Sequence, residues 1–159
     1  MLRDLDVAFW WTGEARRGRY EVDALLGYVA GAPTYSLAAE LALSRAVIGA
    51  LPAIGGYPEA LAAAGDRRWR WHADFSLTHA RMRAERADVT GTVGQAAKAV
   101  VETAHALACR RRHWVLNEKT LVERAGLAGV HPWFTRVPAS PDALVEWVGG
   151  IRTALGSAS

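Results

Sequence analysis

Apolar residues recur at three- and four-residue spacing along most of the chain, the signature of helices with one buried face. Between 34 and 51, Tyr35, Leu37, Leu41, Ile48 and Leu51 mark a helix started by Pro33 or Thr34 and ended by Pro52 and Gly55-Gly56. Pro58 opens a short helix over 59–64, at the position where a missing N–H costs nothing, and Gly65 breaks or kinks it. Asp66 then caps a long helix to about Ala87, with Trp71, Phe75, Thr78 and Met82 on one stripe. Asp88 caps another, to Arg112, whose apolar face holds Val93, Val100, Val101 and Leu107. Its small residues Gly91, Gly94, Ala97, Ala104 and Ala108 suit close approach of a neighbouring helix.

The ends are simpler. Leu2 to Arg17 reads as a lead-in helix stopped by Gly18, with Asp4 and Asp6 suited to its first turn and Arg16 and Arg17 to its last. Thr120 to Ala125 is a short helix, His131 to Phe134 a loop with two aromatics, and Ser140-Pro141-Asp142 starts a last helix to about Leu155. Residues 19–29 are ambiguous, since Tyr20 and Val22 alternate with polar residues before Gly27 and Gly31. The pattern predicts an all-α fold: one domain over 1–159, an antiparallel bundle of five or six helices, with residues 156–159 fraying.

Composition narrows the setting. Half of the 159 residues are hydrophobic, enough for a packed core. One cysteine, Cys109, permits no internal disulfide and reads as a small core residue. With no secretory signal visible, the expected location is the cytoplasm. No run approaches the roughly 20 apolar residues of a membrane span, so no membrane contact is expected. A net charge of +3 is small, and no nucleic-acid partner is expected. Arginines cluster at 16–19, 67–70, 81–86 and 110–112; they read as solvated helix faces and ends, or else as a groove for an anion. Seven tryptophans are many for this length, and some should line a pocket or an interface.

Familiar catalytic motifs are missing: no Gly-rich phosphate loop, and no His or Cys spacing that suits zinc. No metal and no cofactor is expected. His72 and His79 could share a helix face, but no acid accompanies them there. Glu102, one turn after Lys98, reads as a surface pair. Glu40 stands among Ala39, Leu41, Ala42 and Leu43 without a same-face cation. It lies either on the solvated face or in a cleft, where it could act as a base or hold a cationic group. The run His113-Trp114-Val115-Leu116-Asn117-Glu118-Lys119 forms the corner between two helices. Asn117 can cap the second, and Glu118 can sit in its first turn.

Read together, Leu2 to Asp6, Gly18-Arg19-Tyr20, Tyr35 to Arg45, Tyr57-Pro58 with Leu61, Trp71 to Phe75 and Leu116 to Lys119 carry a resemblance. In order and approximate spacing, from residue 2 to about 127, they resemble the C-terminal half of bacterial minimal-nucleotidyltransferase proteins. That half is a helical bundle related to HEPN domains and to the C-terminal domain of kanamycin nucleotidyltransferase. The resemblance implies a bundle that closes over an acceptor substrate. The Gly-Ser motif and metal-binding acids of the catalytic core have no counterpart, and Asp4 and Asp6 cannot replace them. The chain alone should therefore not transfer a nucleotide.

Three functions follow as expectations. In the first, the bundle has kept its acceptor pocket for small-molecule binding, or for proton-transfer or cyclisation chemistry in secondary metabolism. Glu40, Glu118 and Lys119 would then be its reactive groups, Tyr35, Trp71, His79, Trp114 and Asn117 its ligand-binding walls, and a homodimer its assembly. The Ala-, Arg- and Gly-rich composition suits a high-GC actinobacterial source for such use. In the second, the chain is a substrate-binding subunit, or an antitoxin- or toxin-like partner, of a separate nucleotidyltransferase core chain. In the third, it is a non-catalytic interaction module. A retained pocket predicts a closed cavity containing Glu40. A partner subunit predicts an exposed apolar patch around Phe9 to Trp11.

Overall fold

The computed structural model describes residues 2–25, 27–51 and 53–157, with only the backbone described for 2–6 and 8. The all-α expectation holds. Helix α1 (Leu2–Arg16) leads into a two-stranded antiparallel ribbon, β1 (Val22–Asp23) against β2 (Ala32–Pro33). Then come α2 (Ser36–Leu43), α3 (Glu59–Ala84), α4 (Val89–Arg110), the one-turn α5 (Leu121–Arg124), a 3-10 helix over Ala128–Thr135, and α6 (Pro141–Gly156). The predicted first turn of α1, with Asp4 and Asp6, lies where side chains are not described. The expected frayed tail falls partly outside the described residues, at Ala158 and Ser159.

The centre is a hairpin of α3 and α4. Asp88 ends the turn between them as predicted, accepting from the Gly91 amide at 2.9 Å. The facing sides are small: Ala73, Ala80 and Ala84 of α3 and Ala96, Ala99 and Ala106 of α4 are buried. Small residues let the two axes approach closely. Beyond this seam, α6 brings Leu144, Trp147, Val148, Ile151 and Leu155 into one core with Leu77, Val100 and Leu107. A second core at the other end joins Ala15, Tyr20, Tyr35, Leu61, Trp69, Ala106 and Cys109.

The elements differ from the pattern in three places. α3 is one helix of 26 residues and is not broken at Gly65. A Cβ at Gly65 would lie 2.6 Å from the Cys109 sulfur, so the glycine serves the close approach of α4. Asp66 is within the helix and bonds Arg70 at 2.7 Å instead of capping. The helix expected over 34–51 stops at Leu43, where Ser44 turns extended and its hydroxyl bonds the Glu40 carbonyl. Local hydroxyl-to-carbonyl bonding competes with continuation, and with no core to cover, Val47 and Ile48 stand 95% and 94% exposed. Thirdly, the aromatic segment near Trp133 is a 3-10 helix and not a loop.

Candidate functional site

The corner after α4 is where the chain's polar interior gathers. Arg112, at φ +58°, reverses the chain, and the His113 amide closes on the Ala108 carbonyl at 2.9 Å. Val115 then enters the core. The Asn117 side chain accepts from the Lys119 amide at 3.0 Å, a local turn that leaves the capping position of α5 to Thr120. This corrects the expected cap and frees Glu118 to point inward. One Glu118 oxygen accepts from the Ala30 amide at 2.9 Å and stands 3.4 Å from His105 Nε2. The other accepts from the Val29 amide. Burial opposes its charge, but the bonds from His105, Val29 and Ala30 together outweigh burial and hold the carboxyl below the usual glutamate range. Tyr28 adds a parallel tie, donating its hydroxyl to the Leu116 carbonyl at 2.8 Å.

His105 is fully buried, its ring stacked on Trp69 with centroids 4.4 Å apart. A carboxylate can only accept, so Nε2 carries the proton shared with Glu118. Among the described residues Nδ1 has no hydrogen-bond partner. Trp69 in turn donates its indole N–H to the Tyr35 hydroxyl at 3.0 Å, which lies 3.6 Å from the Cys109 sulfur. Burial pushes the Tyr35 phenol well up and the Cys109 thiol up as well. Neither is primed as a nucleophile, because a reactive thiol needs the opposite shift.

One turn before His105, Glu102 is 1% exposed, which overturns its reading as a surface partner of Lys98. Lys98 Nζ and His72 Nδ1 each stand 3.8 Å from one oxygen, too far for a hydrogen bond, and among the described residues neither oxygen has a partner within 3.5 Å. Burial lifts its carboxyl above the usual glutamate range, with the Ser76 hydroxyl and the Lys98 ammonium offsetting part of the shift. Burial, with Arg68 and Lys98 nearby, lowers the His72 imidazole.

The residues proposed from sequence divide. Tyr35 and Glu118 belong to one interior network through Trp69 and His105. Trp114 packs at its edge against Tyr57, 4.4 Å between centroids. Glu40, Asn117 and Lys119 are exposed. The charge of Glu40 does reach Tyr28, whose phenol is raised by burial, by Glu118 and by Glu40. Trp71 and His79 face away on the outer side of α3, Trp71 stacked on Phe75 and Phe75 against His79. Glu40 stands in solvent and lines none of the clefts at Trp133, Arg111, Asp74 or Gly126, and among the described residues no group of His, Cys, Asp or Glu could hold a metal ion. No helix is long and apolar enough to cross a membrane.

No known protein family, curated protein or solved structure matches the chain. Its chemistry has to be read from the geometry alone. Glu118 with His105 is a buried hydrogen-bonded clip that ties the 27–31 loop to α4. A cleft of about 580 Å³ lies elsewhere, between the 3-10 helix and α6, lined by Pro132, Trp133, Arg136, Glu146 and Trp147. Its floor is fixed: Trp147 donates to the Trp133 carbonyl at 2.8 Å, and the Trp133 ring lies where a Cβ on Gly150 would be. Sequence reading missed His105 and Glu102. Their signal is the 98, 102, 105, 109 spacing, one face of α4, masked because Lys98 offered Glu102 an apparent surface partner.

Proposed function

We propose that the chain is a binding subunit, one half of a two-chain assembly, with the α1 end as its docking face. The observation that carries this reading is the exposed apolar surface of α1: Val7 and Phe9 are exposed, and Trp10 is 59% exposed. Isolated exposed leucines are ordinary, but a contiguous aromatic patch on a small protein marks an interaction site. α1 packs on α2, and Leu43, Val47 and Ile48 after α2 add further exposed apolar side chains. Arg16 holds the Ile54 carbonyl at 3.0 Å, which returns that segment to α1. The resemblance of residues 2 to about 127 to the helical half of minimal-nucleotidyltransferase proteins makes a separate nucleotidyltransferase core the partner of first choice. A partner role also agrees with the exposure of Glu40 to solvent.

Binding of an apolar-surface dye to the purified chain, with sedimentation beside it, tests this. The expected result is a monomer that binds the dye, with dye binding abolished by Phe9→Glu with Trp10→Glu while the melting temperature is kept. No dye binding, or a homodimer that the double variant dissociates, would overturn it. The small-molecule reading keeps one observation in its favour, the 580 Å³ cleft floored by Trp133 and Trp147, which is within the usual size of ligand sites.

A further inference from the structure

The outer face of α3 carries a second unpartnered surface, independent of the α1 face. Trp71, Phe75 and Met82 lie at helical spacing, and Trp71 is 63% exposed. They form an ordered ladder and not a scatter: Trp71 stacks on Phe75 with centroids 5.5 Å apart, and Phe75 meets His79 at 4.3 Å. The core does not need them, since α3 turns Leu61, Trp69, Ala73, Leu77 and Ala80 to its neighbours.

Charge decides what could cover this ladder. Along its borders Asp74 pairs with Arg152, and Arg81 pairs with Glu85. Two cations in line with the ladder remain without an ion pair among the described residues: Arg67 before Trp71, and Arg86 after Met82, which bonds only the Met82 carbonyl. They are 19 positions apart (67 to 86), with Arg86 in the turn just past the end of α3, roughly 28 Å if the helical rise is continued to it. We propose that this face docks an amphipathic helix of a partner polypeptide that carries an acidic residue at each end of its apolar stripe.

A second copy of this chain fits badly. Laid antiparallel on itself, the ladder sets Arg67 against Arg86; laid parallel, each arginine meets itself. An anionic membrane fits less well, because it would also lie over the paired acids Asp74 and Glu85, whereas a helix can set its acids opposite Arg67 and Arg86 alone. The apolar area offered here is small, on the order of 300 Å². Binding is therefore weak to moderate, with the terminal charges setting selectivity and orientation.

The test uses the full chain and two fluorescein-labelled peptides of about six helical turns. Both carry Leu at one stripe; one has Glu at each end and the other Lys. Fluorescence anisotropy should show the Glu peptide binding at least about tenfold tighter. Trp71→Ala should weaken it by about tenfold or more with an unchanged melting temperature, since central tryptophans dominate such contacts. Arg67→Glu with Arg86→Glu should reverse the preference. Equal binding of both peptides, or no binding of the Glu peptide, overturns the proposal. So does a homodimer lost in Trp71→Ala, which would make a second copy the occupant. Trp71-dependent binding to phosphatidylserine vesicles would overturn it in favour of a membrane.

Discussion

Replacing Glu118 by alanine removes the acceptor that holds the Val29 and Ala30 amides and the His105 ring. The Val29 amide is near solvent and can be rehydrated, whereas Ala30 and His105 are buried. A hydrogen bond to a charged group is worth about 1.5–3 kcal/mol, and a buried donor left without a partner costs about 1–3 kcal/mol. Counting one full loss at Ala30, a part at His105 and little at Val29, Glu118→Ala should cost about 3 kcal/mol. For a chain of this length that lowers the melting temperature by roughly 6–12 °C. Glu118→Gln keeps one acceptor oxygen and should cost about half as much. The sign of the pH dependence is set by the lowered carboxyl. Its contribution is fully present above the unfolded value of about 4.5 and is lost as pH falls through the lower folded value. The wild-type and alanine melting curves should therefore converge in acid. Circular dichroism melts from pH 3 to 7, with hydrogen exchange at Val29 and Ala30, read this directly. A variant melting within about 1 °C of wild type at neutral pH, with both amides still protected, would refute the clip.

Glu102→Gln should act in the opposite sense. A carboxyl raised by burial contributes stability below the unfolded value of about 4.5 that is lost as pH rises through its folded value. The glutamine variant should thus melt higher at neutral pH, by the equivalent of about 1 kcal/mol, and match wild type in acid. Gly65→Ala should destabilise by about 1–3 kcal/mol through its clash with the Cys109 sulfur. Adding Cys109→Ala should recover part of that loss in a double-mutant cycle of thermal melts. Gly150→Ala should displace the Trp133 ring, seen as changed tryptophan fluorescence with α6 still helical. Val47→Ser with Ile48→Ser should leave the melting temperature within about 1 °C of wild type, because both side chains are in solvent and hold up no core.

The bundle was legible because α3, α4 and α6 carry strong helical periodicity, and because Asp88 and Pro141 mark two starts without ambiguity. Where the reading failed, tertiary packing had overridden local signals. Gly65 looks like a breaker until Cys109 is seen against it. The 34–51 pattern looks like a helix, but the segment after Leu43 has no core against which to bury Val47 and Ile48. Tyr35, Trp114 and Glu118 stood out in the sequence singly, because their common centre, Trp69 stacked on His105, joins two elements distant in sequence. The stripe of Trp71, Phe75 and Met82 was found by spacing, but spacing does not say which face of a helix meets the core. Glu102 shows the same limit: a lysine four positions away reads as surface whether the acid is wet or dry.

The central claim is that α1 docks a second, different polypeptide. Its most direct test is native mass spectrometry of the tagged full chain purified from the cells that make it, beside the Phe9→Glu, Trp10→Glu variant. The account predicts a defined heteromeric mass, its second component identified as a nucleotidyltransferase-type core, and a bare monomer for the variant. A homodimer, or a heteromer that the variant keeps intact, would contradict it.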